Sequence, residues 1–150
     1  MKICADENVA PALSQLIREQ LLSHGFTLET VDDHQARGVQ DQIWVRTFAD
    51  AGGDAIVGAD FNMTKRPHEV VAISETGLRL VILDEKWARQ KKHIQIAYLF
   101  YWWPEIERTL KGSAKAKCFK VPWGWPSDTT DQIKTLQLDV QKAYKKLKKS

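Results

Sequence analysis

Cysteine is scarce in this chain and poorly placed for chemistry. Its two cysteines, Cys4 and Cys118, lie far apart, and neither belongs to a C-x-x-C pair. They neither suggest a zinc site nor require an oxidising compartment. Small buried thiols are their expected role. No apolar run reaches the roughly 18 residues that span a bilayer, so no membrane partner is expected. No basic stretch precedes the first apolar run, which argues against a secretory signal and puts the expected location in the cytoplasm. Internal repeats are absent, and the one biased stretch is the lysine-rich run 142–149.

What is present is the balance of a folded protein. Hydrophobic residues make up 43% and charged residues 27% of 150 residues, enough for one domain with a buried core. The net charge of +3 hides an asymmetry. Residues 1–110 hold 12 Lys and Arg against 16 Asp and Glu, and residues 111–150 hold 10 against 3, so a net −4 meets a net +7. The second part carries charge suited to a polyanion. The expected organisation is a domain over residues 1–126 followed by a basic amphipathic helix over 127–150.

Three short apolar runs end in acid: Lys2 to Asp6, Ala55 to Asp60 and Leu80 to Asp84. Between them the spacing changes. Pro11 to His24 carries Leu13, Leu16, Ile17, Leu21 and Leu22 at helical intervals, with Gly25 as a stop. Thr27 to Val31 reads as a second strand, and a polar loop, Asp32 to Gln40, comes next. Asp41 is a candidate N-cap for a helix with Trp44, Phe48 and Ala51 on one side. Pro67 to Thr76 reads as a short helix closed by Gly77, before a strand from Arg79 to Leu83. The expected fold is α/β, a parallel sheet of four to five strands flanked by helices in three layers. Right-handed crossovers favour the strand order 2-1-3-4. Further on, helices are expected over Ala88 to Phe100 and Glu105 to Lys111, and a fifth strand over Lys117 to Val121. Pro122 to Pro126 is a rigid aromatic connector. Thr129 to Lys148 should be a terminal helix with Ile133, Leu136, Val140, Ala143 and Leu147 on one face.

In a 2-1-3-4 sheet the order reverses between strands 1 and 3, and ligands bind beyond the carboxyl ends of the strands at such a point. Asp6 and Asp60 end those two strands. Gathered carboxylates repel unless a cation sits among them. Oxygen-only ligands suit Mg2+ or Mn2+. The plainer alternative is that strand-end Asp residues merely cap the helices after them.

Cys4-Ala-Asp-Glu-Asn8, Gly38-Val-Gln-Asp-Gln-Ile-Trp44 and Ile56-Val-Gly-Ala-Asp-Phe61 occur in this order. Lys65-Arg-Pro-His-Glu69 and Gly77-Leu-Arg-Leu-Val-Ile-Leu83 come after them. Together they resemble the PIN-like nuclease superfamily, in particular the small proteins that open with a strand and Asp-Glu-Asn. The resemblance spans roughly residues 2–111. It implies a metal-dependent endoribonuclease, often the toxin of a toxin–antitoxin pair, with Asp6, Asp41 and Asp60 as the acidic triad and Mg2+ or Mn2+ as cofactor. Glu7 and Asp84 compete for a fourth acidic place. The family often has a basic residue or Thr before its third acid, where this chain has Gly58-Ala59. The partners so implied are RNA, a cognate antitoxin and a second copy in a homodimer.

The residues support that chemistry. Phosphodiester cleavage needs an activated water and neutralised phosphate charge, which a carboxylate-held dication supplies. Asn8, Lys65, Arg66 and His68 are candidates for substrate binding; Lys65 to His68 would otherwise be a solvated helix start. The four histidines, His24, His34, His68 and His93, otherwise read as structural or solvated. Trp44 and Trp87 are expected in the core. Trp102, Trp103, Trp123 and Trp125 could stack on bases or close a core. Two other functions compete. A phosphoacceptor receiver-like signalling domain has the topology, but needs a small hydroxyl residue after strand 4, where Asp84-Glu85 stands. A catalytically inactive PIN-like module would keep the fold and bind RNA or protein. A haloacid-dehalogenase-type phosphatase is excluded, because Asn8 stands where its second Asp belongs.

Overall fold

The computed structural model describes residues 1–31, 33, 41–124 and 132–149, and of Asp41 the backbone alone. Residues 32 and 34–40 of the polar loop, with His34, the residue Trp125 and the expected helix start at 129–131 lie outside the described residues. Six strands form one sheet in the order β2-β1-β3-β4-β5-β6. They are β1 (Lys2–Ala5), β2 (Thr27–Thr30), β3 (Ala55–Gly58), β4 (Arg79–Ile82), β5 (Cys118–Lys120) and β6 (Lys134–Leu136). The first five are mutually parallel, and β6 adds antiparallel to β5. The expected order of strands 1 to 4 is therefore observed, with its reversal between β1 and β3.

Helices cover both faces, as a parallel sheet requires. They are α1 (Pro11–Gln20), α2 (Asp41–Asp50), α3 (Pro67–Thr76), α4 (Lys92–Lys111) and α5 (Val140–Lys148). Successive strand residues point to opposite faces, so Ile3 and Ala5 join α1 and α4 in one core cluster while Cys4 joins α2, α3 and α5 in the other. Trp44, Phe48 and Trp87 are core residues as expected, whereas Ala51 lies exposed beyond the end of α2. Pro67 sits in the first turn of α3, and Gly77 ends it in the left-handed conformation at φ 76°.

Two expectations are corrected. Helices ending at Phe100 and restarting at Glu105 are in fact one helix, α4, which runs through Pro104. An interior proline costs a helix about 3 kcal/mol. Burial of Trp102, Trp103 and Ile106 on either side of it offsets that cost. Residues 88–91 are not part of this helix; a 3-10 turn, Trp87–Arg89, precedes it. The terminal helix is also shorter than expected, because 134–136 is strand β6. Ile133 and Leu136 would share one helix face, but here they pack against opposite core clusters. That arrangement suits extended chain, and it covers the free edge of β5. Val140, Ala143 and Leu147 keep their expected role and face the cluster that contains α3.

Candidate active site

β1 stops at Ala5, so Asp6 and Glu7 lie beyond the strand, and the alternation of strand side chains does not separate them. The N–H of Asp6 still donates to Val57 O at 3.0 Å, which ties it to the end of β3. Its carboxylate is buried at 4% exposure. Oδ1 accepts from the Asn8 N–H at 3.0 Å and Oδ2 from the Ala59 N–H at 3.2 Å. Gly58 makes this approach possible: a Cβ there would lie 2.2 Å from Oδ2 and 2.9 Å from Cγ. The departure from the family pattern at Gly58 thus has a local reason, visible only once the strands are paired.

Burial raises the Asp6 carboxyl to about 6, against the pull of the backbone donors at Asn8 and Ala59. The charge on Asp60 adds the smallest part of the rise. Asp60 stands just after β3 and caps a 3-10 turn, Phe61–Thr64, by accepting from the Asn62 N–H at 3.0 Å. Its other oxygen takes Arg66 Nη2 at 2.5 Å. Arg66 Nε reaches the buried carboxylate of Glu69 at 2.5 Å, so one guanidinium bridges two acids.

The remaining candidates are spread around this pair. The backbone of Asp41 opens α2. That helix returns the chain to the start of β3, so its first turn lies at the carboxyl end of the sheet, as Asp6 and Asp60 do. Glu7 is half-buried in the turn after Asp6. Asp84 lies just past β4, and accepts from the Lys86 N–H at 2.9 Å, a local capping contact. Asn8, Lys65 and His68 are all exposed, and Arg66 is engaged with Asp60 and Glu69. Lys65 Nζ lies 4.8 Å from the centre of the Phe61 ring. Among the described residues, no three His, Cys, Asp or Glu side chains are grouped to hold a metal, and the side chain of Asp41 is not among those residues.

Several sequence alternatives resolve on burial. Trp102 and Trp103 are core residues at 2% and 1% exposure, which removes them from base stacking. Trp123 is half-buried and stacks on Tyr98, 5.2 Å between ring centres. His24 and His93 are exposed. Burial pushes both thiols up to about 12, so neither is a nucleophile. Glu107 carries no signal in the sequence. It is buried on α4 and accepts from Ser23 N, Ser23 Oγ and Trp103 Nε1, and nothing in the local pattern marks those partners.

Among the described residues no helix is long and apolar enough to cross a membrane. Comparison with curated proteins and with solved structures gives no match. A family described as PIN like domain matches residues 1–85, from β1 through Asp84 and Glu85. That span is more than half of the 150 residues and contains Asp6 and Asp60. The chain therefore belongs to the PIN like domain family.

Proposed function

We propose that this protein is a metal-dependent endoribonuclease whose reaction centre lies at Asp6 and Asp60, with Asp41 as the third acid. The observation that carries the reading is the buried Asp6 carboxylate. Burial raises it to about 6, and it stands at the switch point of the sheet, tied to the end of the strand that leads to Asp60. A carboxylate so buried is disfavoured in its charged form unless a cation joins it. The donors are all oxygen, which fits Mg2+ or Mn2+. The donor types suit such an ion, which Asp6, Asp41 and Asp60 would hold, with Glu7 or Asp84 as a further acid. When bound, the ion would supply charge neutralisation at the phosphodiester oxygens and a more acidic water.

The chain's own groups have distinct tasks in this reading. The N–H groups of Asn8 and Ala59 fix both oxygens of Asp6, so that its carboxylate cannot turn away. Arg66 fixes one oxygen of Asp60 and links it to Glu69. It positions the acid. Lys65 and His68, at the start of α3, are the groups able to meet a phosphate from solvent. Titration with Mn2+ in thermal unfolding, beside cleavage of single-stranded RNA, tests the reading. Mn2+ should raise the melting temperature of the wild type more than that of Asp6→Asn, and chelator should abolish cleavage. Equal stabilisation of both proteins, or cleavage that survives chelator, overturns it.

A further inference from the structure

The segment beyond the family match builds something of its own. β6 pairs with β5 so that Lys134 stands directly opposite Lys120. Like charges directly opposite on an antiparallel pair are destabilising. Lys120 is partly relieved by Glu85 at 3.2 Å, and its Nζ also lies 5.0 Å from the centre of the Phe61 ring. Lys134 has no carboxylate within ion-pair distance among the described residues.

Two adjoining clefts open on this edge, and Leu136 lines both. One, of about 380 Å³, lies between the Phe61 turn and α5 and is lined by Lys65, Lys142 and Lys146. The other, of about 410 Å³, is lined by Lys86, Lys120 and Lys134 around Trp123. The two carboxylates in these linings, Asp139 and Asp84, already accept backbone N–H groups, from Lys142 and Lys86. Phe61 joins the clefts to the site, because it is the residue next to Asp60 and both Lys65 and Lys120 lie against its ring.

We propose that this surface, completed by β6 and α5, is a track for the backbone of single-stranded RNA that runs over the β5–β6 edge toward Asp60. A chain of phosphates would relieve the repulsion between Lys120 and Lys134 and neutralise the lysines around both clefts. The half-buried ring of Trp123 offers an apolar surface beside them on which an unpaired base can rest. The inference rests on the nuclease reading for the direction of the strand, and not for binding itself.

The test is binding of a labelled oligouridine, with divalent metal chelated, as a function of salt. Removing one lysine–phosphate pairing flattens the dependence of log affinity on log salt by about 0.7 for a single strand. The triple variant Lys134→Gln, Lys142→Gln, Lys146→Gln should flatten it by roughly 2 and weaken binding about 100-fold near 0.1 M salt. The corresponding Arg variants should keep the slope. A control that removes the same charge, Lys91→Gln, Lys92→Gln, Lys111→Gln, lies at the ends of α4, on the other face of the sheet from α5 and outside both clefts, and should change the slope little. An unchanged slope in the first variant, or an equal change in the control, overturns the track. So does polyglutamate bound as tightly as the RNA, which would make the face a dock for an acidic protein. A wild type that binds RNA on these lysines but never cleaves it refutes the nuclease reading and leaves the track standing.

Discussion

Replacing Gly58 with alanine tests the tightest approach in the site. The added Cβ would stand 2.2 Å from Asp6 Oδ2, a distance that atoms do not share, so the carboxylate must turn away. It then gives up the bond from the Ala59 N–H, a charge-assisted interaction worth about 1.5–3 kcal/mol. Forcing an extra carbon into packed surroundings adds about 1–3 kcal/mol. The alanine gives back about 0.4–1 kcal/mol through the unfolded chain, since Gly58 does not need a positive φ. The net expectation is a loss of about 1.5–5.5 kcal/mol, a fall in melting temperature of roughly 3–20 °C for a chain of this size. The cause is separable by a double-mutant cycle with Asp6→Ala. Without the carboxylate, Gly58→Ala should be neutral or stabilising by about 0.4–1 kcal/mol. Thermal and urea unfolding of the four proteins measure this. If Gly58→Ala costs as much in the Asp6→Ala background as in the wild type, the close approach of Asp6 is not the reason for the glycine.

Two further outcomes are expected. Asp6 has a folded-state value of about 6 against 3.8 for an ordinary Asp, so the folded protein binds more protons than the unfolded chain between those values. The contribution of Asp6 to stability therefore falls as pH rises from about 4 to about 6, by up to about 3 kcal/mol, and stays low above that. In chelated buffers, the stability of Asp6→Asn relative to wild type should rise across this window, and a flat difference in urea unfolding against pH would refute the shift. Glu107→Ala should cost about 3 kcal/mol in urea unfolding, because it strands the donors Ser23 N, Ser23 Oγ and Trp103 Nε1. RNA cleavage measured well below the melting temperature should be unchanged.

Much of the fold could be read locally. α3 is bracketed by Pro67 and Gly77, and β1, β3 and β4 are short apolar runs that end near acids. The elements that escaped depend on partners distant in sequence. Pro104 marks a helix end by local rules, yet buried tryptophans packed beside it hold α4 continuous. Residues 133–147 carry a helical pattern, but the free edge of β5 takes 134–136 as a strand, and only 140–148 remain helical. The site divides in the same way. Asp6 and Asp60 were legible because chain order alone puts them at adjacent strand ends. The fit of Gly58 against Asp6 spans 52 residues and needs the paired strands to be seen. Arg66 had two roles open in the sequence, phosphate contact or helix start. Its engagement with Asp60 and Glu69 adds a third, that of holding the acid in place.

The most direct measurement is the rate of single-stranded RNA cleavage in Mn2+ by wild type and by Asp6→Asn, with folding of both verified by circular dichroism. The substitution keeps the shape of the side chain and removes the charge on which the centre depends. The expected result is cleavage by the wild type, and a rate lower by about three orders of magnitude or more in the variant, on the scale of losing a principal electrostatic interaction with the transition state. Equal rates in the two folded proteins would contradict the assignment of Asp6 to the reaction centre.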